Sequence, residues 1–404
     1  MKYLILGGGP SGLSFANRLL EKGEDSFLVL EAEKTAGGLC RSEEVDGAPL
    51  DIGGGHFLDV RRPRVTDYLF RFMPRSEWDY YERDSRISIY GKDINHPFEA
   101  NIWQLDIDHQ IRCLKAIAAA GCNVGKEKPQ DFVEWIFWKL GDVIAQDYML
   151  PYNKKMFGEE LSQLGTYWLE KLPDVSFEDT LRSCLQGKAY GNQPGHAQFF
   201  YPKKHGYGEL WNRMAAALGD RMEYQKRVVA IDFEQKCVKT EDGGTYQADA
   251  IITTIPWLEF SEITAMPEEI RASIAELKYS SVQIKYYHEM LDTKAQWIYY
   301  PDPKLSYHRI LVRHNFCPDS RGYWTETNTD RLWMEEKDQR YQYINRYAYP
   351  LNTIKKPVIM RRLLDWSRVQ GVYGLGRWGE HQHYNSDLAV ELGIQLADEL
   401  MGRS

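Results

Sequence analysis

The stretch "KYLILGGGPSGLSFANRLLEKGEDSFLVLEAE", residues 2–33, constrains the fold of this chain more than any other. An apolar run from Tyr3 to Leu6 leads into Gly7, Gly9 and Gly12, spaced G-x-G-x-x-G. Apolar residues then recur at helical spacing (Leu13, Ala16, Leu19, Leu20), and a second apolar run ends at Glu31. The order is strand, turn, helix, strand. In such a unit the first glycine permits a tight turn, the second lets backbone reach a pyrophosphate, and the third lets helix pack on strand. The helix N-terminus offers its first amides to the phosphates, and Glu31 stands where an acid accepts ribose hydroxyls. The expected class is α/β, a doubly wound dinucleotide-binding domain of the Rossmann type.

The next segment of the chain discriminates between dinucleotides. "EAEKTAGGLCRSEEVDGAPLDIGGGHFL" brings a second glycine pair, Gly37 and Gly38, then Arg41, a hairpin, and a third cluster, Gly53 to Gly55, before His56. A nicotinamide domain has no need of these. An isoalloxazine ring, approached closely by backbone, favours glycine at several points, so FAD is the expected cofactor.

Composition removes other classes. A net charge of −8 without a basic tract opposes nonspecific nucleic-acid binding. The apolar runs are too short to span a membrane and the opening one too short for a signal peptide, so a cytoplasmic protein with no membrane partner is expected. The six cysteines include no C-x-x-C pair, which fits a reducing compartment and no zinc site. His381 and His383 stand two apart but find no third metal ligand, so no metal is expected.

The glycine-rich segments resemble the FAD-binding segment of the superfamily that unites amine oxidases, protoporphyrinogen oxidases and UDP-galactopyranose mutases. "RVVAIDFEQKCVKTEDGGTYQADAIITTIP" is similar to that superfamily's second FAD segment, with Val229 near the adenine. Within it, five stretches resemble the mutase branch. "GGGHFLDVRRPRVTDYL" places His56 beside the flavin. "RISIYGKDINHPFEANIWQL" is similar to a mutase strand pair. "LPYNKKMFGEELSQLGTYWLEKLP" carries Tyr152, Lys155, Phe157 and Gly158, and "FFYPKKHGYGELWNRMAAAL" carries Tyr207. "SYHRILVRHNF" sets Arg309 where mutases hold the substrate diphosphate. Near the end, "GVYGLGRWGEHQHYNSDLAVELG" resembles the segment that delivers Gly376 and Arg377 to the flavin and opens a helix near Asp387 and Leu388.

The resemblance implies a FAD-binding site of Gly7, Gly9, Gly12, Glu31, Gly38, Arg41, Gly55, His56, Val229, Gly376, Arg377, Asp387 and Leu388. It implies a substrate site of Tyr152, Phe157, Tyr207, Arg309, Tyr349, His383 and Tyr384, with His56, Arg309 and Arg377 closest to the chemistry. The implied activity is that of an isomerase, an intramolecular transferase of polysaccharide biosynthesis that interconverts pyranose and furanose forms of a UDP- or other NDP-linked sugar. The resemblance implies that reduced FAD attacks the anomeric carbon through N5 and displaces the nucleoside diphosphate, which is recaptured after the sugar recloses, without net redox change and after reduction by a donor such as NAD(P)H.

Two departures set this chain apart. Asp174, Val175 and Ser176 stand where a second diphosphate arginine is expected, with Arg182 the nearest substitute, and His383 with Tyr384 replaces a tyrosine pair. The bland readings stay open beside these: Arg309 as an ordinary ion-pair partner, and Tyr152, Tyr207 and Tyr349 as core. An FAD oxidoreductase of the amine oxidase or protoporphyrinogen oxidase type is the alternative function, and a homodimer is an open alternative for assembly.

The expected organisation is a discontinuous FAD domain (1–75, 200–275, 355–404), a helical insertion (100–165) that includes Trp135, Trp138 and Val143, and a β-sheet substrate domain (76–99, 166–199, 276–354). A mobile loop is expected around 160–200, where "QGKAYGNQPGHAQ" is polar and glycine-rich.

Overall fold

A computed structural model describes residues 1–169, 175–191, 197–335 and 338–402. The chain divides into two compact units, Met1–Asp79 with Phe200–Lys278 and Lys355–Ser404, and Tyr80–Phe199 with Tyr279–Ile354.

The first unit is built on a five-stranded sheet in the order Met222–Glu223, Phe27–Leu30, Tyr3–Leu6, Ala250–Thr253, Val372–Gly374. Every pairing in it is parallel. Its three inner strands are near-continuous apolar runs because a parallel sheet is covered on both faces. Leu4 and Leu6 join a core with Val238, Ile251, Trp257 and Leu363. On the alternate positions, Tyr3 meets Phe15 of the helix Pro10–Glu21 edge to face. Burying each such leucine contributes about 1.5–3 kcal/mol. The helix Pro10–Glu21 lies against Ser386–Met401 so closely that a Cβ on Gly393 would meet Ser14 Oγ at 2.3 Å. A smaller sheet orders Thr245–Gln247, Cys237–Thr240, Val228–Asp232 and Glu262–Thr264. The α/β class with a parallel dinucleotide-type sheet is therefore as the glycine spacing predicts.

In the second unit a seven-stranded sheet runs Gln342–Pro350, Tyr279–Tyr287, Tyr323–Asn328, Arg309–Val312, Trp297–Tyr299, Ser85–Ile89, Lys92–Asn95. It is antiparallel except where Trp297–Tyr299 runs parallel to Ser85–Ile89. The helices Ile107–Ala118, Phe132–Ile144, Leu150–Phe157 and Phe177–Gln186 cluster in the same unit as this sheet. Trp135 is buried as the helical spacing predicts, while Trp138 and Val143 are only half buried. Gly141 breaks the helix at φ 72°, where a Cβ would meet the Ala116 carbonyl oxygen at 2.3 Å. Of the loop expected around 160–200, residues 170–174 and 192–196 lie outside the described residues, and Phe177–Gln186 is helical with Ser176 as its cap.

Candidate functional site

Three glycine loops of the first unit come together at the end of the parallel sheet. Gly7, at φ +102°, donates its N–H to the Leu30 carbonyl at 2.8 Å, and a Cβ on Gly12 would meet the Gly7 oxygen at 2.1 Å. That second clash, with Ile5 of the strand 3.2 Å from the same Cβ, is why the turn and the helix-to-strand contact need glycine. Gly37 donates to the Gly8 carbonyl at 2.8 Å, and a Cβ on Gly38 would lie 3.4 Å from Gly9 Cα. The second glycine pair thus faces the first loop backbone to backbone. A Cβ on Gly53 would meet the Leu39 carbonyl oxygen at 1.7 Å, which fixes the third cluster against the second.

No side chain caps the helix Pro10–Glu21 at Gly9, so its first amides are not spent on a capping side chain. Glu31 closes the strand Phe27–Leu30 and is buried, its carboxylate accepting the N–H of Gly8 at 2.8 Å and of Glu33 at 2.9 Å. Burial raises its pKa, with the two amides opposing. Those bonds use part of its acceptor capacity and leave room for hydroxyl donors. Arg41 turns back to the Gly38 carbonyl at 3.0 Å and lies 3.5 Å from Glu33. His56 is half buried after Gly55, and its Nδ1 donates to the Gly54 carbonyl at 3.0 Å, which places a proton on Nδ1. Val229 occupies an irregularity in the pairing of Val228–Asp232, and its carbonyl accepts the Ser261 N–H at 2.8 Å.

The late segment joins the same cradle. Val372–Gly374 is the sheet's edge strand, after which Gly376 turns at φ +73°, where a Cβ would meet Ser11 Oγ at 2.0 Å. Arg377 follows on the single turn Gly376–Gly379, half buried, and its charge acts on the Cys40 thiol beside Gly38, although burial dominates and pushes that thiol up. His383 and Tyr384 are half buried between this turn and the helix Ser386–Met401. Burial, with the Glu380 carboxylate adding, pushes the Tyr384 phenol up to about 12. No side chain caps the last helix at Asn385. Asp387, in its first turn, pairs with Arg62, and its buried Oδ1 has no hydrogen-bond partner. Leu388 beside it is half buried. Glycine turns packed backbone to backbone, two helix N-termini without side-chain caps, the buried Glu31 and a buried unused acceptor on Asp387 fit a flavin dinucleotide.

Tyr207 is fully buried, its hydroxyl 2.7 Å from Ser386 Oγ and its N–H on Asp51 at 3.3 Å. The buried Asp51 also accepts from Ser42 Oγ at 2.6 Å and from the Tyr201 hydroxyl at 3.1 Å. These polar anchors carry no motif and were not legible in the sequence.

The second unit brings Tyr152, Phe157, Arg309 and Tyr349 together. Arg309 Nε donates to Glu326 Oε2 at 2.7 Å, and Nη2 donates to the Tyr349 hydroxyl at 3.2 Å. Burial works against this guanidinium's charge, but Glu326 and the phenols of Tyr349, Tyr152 and Tyr299 raise its pKa well above the usual value. Phe157 meets Tyr349 edge to face, as Tyr152 does Tyr299. Lys155, one turn on from Tyr152, is buried and donates to the carbonyls of Tyr300 and Tyr307, each at 3.0 Å, clipping the loop that leads into Arg309. Burial, with Arg331 adding, lowers its amine to about 7. A cavity of about 870 Å³ in this unit is lined by Lys155 and Arg331 but by none of Tyr152, Phe157, Arg309 or Tyr349. Arg182 is exposed, 5.6 Å from the Tyr190 ring, Val175 is buried, and Asp174 lies outside the described residues. No group of potential metal ligands occurs among the described residues, and none of their helices is long and apolar enough to cross a membrane.

The family model for flavin containing amine oxidoreductase matches residues 10–297. A coproporphyrinogen III oxidase of Mycobacterium bovis is 34% identical over 269 residues, 63% of this chain and 58% of that protein. Amine oxidase [flavin-containing] A of Bos taurus is 26% identical over 297 residues, 66% of this chain and 51% of that protein. The chain thus spans little more than half the length of these two relatives. Among solved structures, a reduced UDP-galactopyranose mutase matches with a TM-score of 0.89 at 22% identity, covering 100% of this chain and 96% of the other. A putative protoporphyrinogen oxidase from Exiguobacterium sp. 255-15 matches with a TM-score of 0.70 at 15% identity, covering 100% of this chain and 99% of the other. The chain belongs to the flavin containing amine oxidoreductase family and is an FAD-dependent enzyme.

Proposed function

We propose that the protein is a sugar-nucleotide mutase that interconverts the pyranose and furanose forms of an NDP-linked sugar, UDP-linked by resemblance. The observation that carries this reading is the placement of Arg309 in the second unit, its guanidinium donating to Glu326 at 2.7 Å and to the Tyr349 hydroxyl at 3.2 Å. Such a group suits a diphosphate, because charge-assisted bonds from a partly desolvated arginine contribute about 1.5–3 kcal/mol each. The whole-chain likeness to a reduced mutase supports it at the level of fold.

Bound in its reduced form, FAD supplies a nucleophile, N5, for the anomeric carbon. The chain's own residues bind and orient. Arg309 holds the diphosphate and keeps the departing nucleotide near for recapture, with the Tyr349 hydroxyl fixing its fork. Tyr152 and Phe157 offer ring faces and edges to a base. In the first unit Arg377 supplies positive charge beside the cofactor's phosphates, and His56 is oriented by its Nδ1 bond to the Gly54 carbonyl. Arg182 is not given the role of a second diphosphate arginine, since it is exposed on its helix.

A second reading, an FAD oxidoreductase, is favoured by the sequence matches to oxidases. It would keep Arg309 as a carboxylate-binding group, since the same fork accepts carboxylate and phosphate. One experiment separates the two. The dithionite-reduced protein is mixed anaerobically with a panel of nucleotide sugars, and pyranose and furanose isomers are resolved by chromatography. Many isomerisations per reduction support the mutase; no isomerisation, with oxygen consumed stoichiometrically with an amine or porphyrinogen, overturns it.

A further inference from the structure

Arg377 has a place in the proposed mutase site, but the acid three residues beyond it does not. Glu380 Oε2 accepts the N–H of Gly376 at 2.9 Å, and Glu380's own N–H donates to the Gly376 carbonyl at 3.0 Å. Residues 376 to 380 therefore form a ring closed by two bonds between the same pair of residues, and Arg377 rides on it. The ring is pinned from outside by backbone and indole groups. Leu375 N–H donates to Thr253 at 2.9 Å, Gln382 N–H to Arg377 at 2.8 Å, and Trp257 Nε1–H to Gly379 at 2.8 Å. Gly376 abuts Ser11 in the first turn of the dinucleotide helix. Of all these bonds, only that of the Glu380 side chain depends on an ionisable group.

We propose that Glu380 is a positioning residue: its carboxyl sets the Gly376–Arg377 turn against the bound FAD, and gain or loss of its proton is transmitted to the flavin. A carboxylate accepts an amide proton more strongly than a protonated acid does, so the turn is held tighter when Glu380 is charged. Burial pushes this carboxyl up to about 7, with the Gly376 amide opposing, which puts the change in the neutral range. The groups around it are few. The Tyr384 phenol feels its charge and stays protonated. His381 points away, donating through Nε2 to the Lys278 carbonyl at 2.9 Å, and burial holds it neutral. Lys356 is spent on the His381 carbonyl at 2.9 Å and on Gln382 Oε1 at 3.1 Å. Arg377 lies on the same turn as Glu380's partner Gly376.

The inference rests on FAD binding beside the Arg377 turn and not on sugar chemistry. A protein that titrates through Glu380 yet isomerises no nucleotide sugar sinks the mutase function and leaves the role of Glu380 standing. The test uses the FAD-loaded protein, with flavin absorbance and reduction potential followed from about pH 5.5 to 8.5. The wild type is expected to show a transition near neutral pH, with the potential rising as protonation removes a negative charge. Glu380→Gln is expected to lose that transition and to hold the wild type's low-pH spectrum and higher potential throughout. Glu380→Asp keeps the charge but shortens the reach to Gly376, and its midpoint is expected to move by about one pH unit or more, a tenfold change in proton affinity. An unaltered transition in Glu380→Gln overturns the proposal; should that variant not fold, an unaltered midpoint in Glu380→Asp does so, and so does failure of the wild type to bind FAD.

Discussion

Arg309 and Glu326 form a two-nitrogen ion pair, Nε at 2.7 Å and Nη2 at 2.6 Å from the same carboxylate oxygen, with the glutamate side chain only 1% exposed. Removing the arginine takes the two closest donors from a buried carboxylate, with His308 Nε2 still 3.6 Å away, and breaking such a pair typically costs about 3–5 kcal/mol, whereas replacing both partners by neutral groups of similar volume costs far less. Arg309→Met should therefore lower unfolding stability by several kcal/mol in denaturant titration, and adding Glu326→Gln should restore much of it. A single variant within about 0.5 kcal/mol of wild type would mean that the pair does not hold the site together.

Gly376 combines left-handed backbone with a neighbour where its side chain would go. Gly376→Ala should cost about 1–2 kcal/mol for the backbone alone and more for the 2.0 Å approach to Ser11 Oγ. Pairing it with Ser11→Gly should recover the second part and not the first, as read by thermal melting of the FAD-loaded protein. Equal melting of the single and double variants would show that the contact with Ser11 is not felt.

His381 is 1% exposed, and burial, with Lys356 adding, lowers its pKa to about 4. A base whose pKa is lower folded than unfolded binds more protons when unfolded, so stability from this group is whole above about pH 6.5 and is lost as the pH falls toward 4. The loss amounts to up to about 3 kcal/mol. His381→Gln should flatten the stability profile between pH 4 and 6.5, measured by urea midpoints; an unchanged slope would assign it to other groups.

Asp387 stands in the first turn of the last helix with one oxygen on Arg62 and the other unpartnered. Asp387→Asn should weaken FAD retention about tenfold, equivalent to about 1.4 kcal/mol, in flavin release measured by fluorescence. Unchanged affinity would remove Asp387 from the cofactor site.

The cradle was legible because its rules are steric. Where a Cβ would sit 2.1 Å from a carbonyl, as at Gly12, the backbone dictates the residue and the spacing records the turn. The arginine site was legible in kind only. Alternation around "RILV" predicts a strand, but the pairing of Arg309 opposite Glu326 depends on register, which a strand's own sequence does not carry. Tyr207 shows the limit for aromatics, since the same ring and hydroxyl serve a core and a pocket, and only packing around Asp51 and Ser386 puts it inside. Glu380 was in plain view in the late segment, yet its bond to Gly376 is set by a turn whose shape no motif describes.

The parallel sheet of the first unit draws its middle strand from residues 3–6 and its edge strand from residues 372–374. Synthesis proceeds at about 5–20 residues per second from the N-terminus, so the phosphate-binding turn leaves the ribosome long before the strand and helix that complete the nucleotide fold. Loading of the coenzyme must then await that later strand and helix, and a ribosome stalled before them displays the glycine signature without the capacity to hold what it advertises.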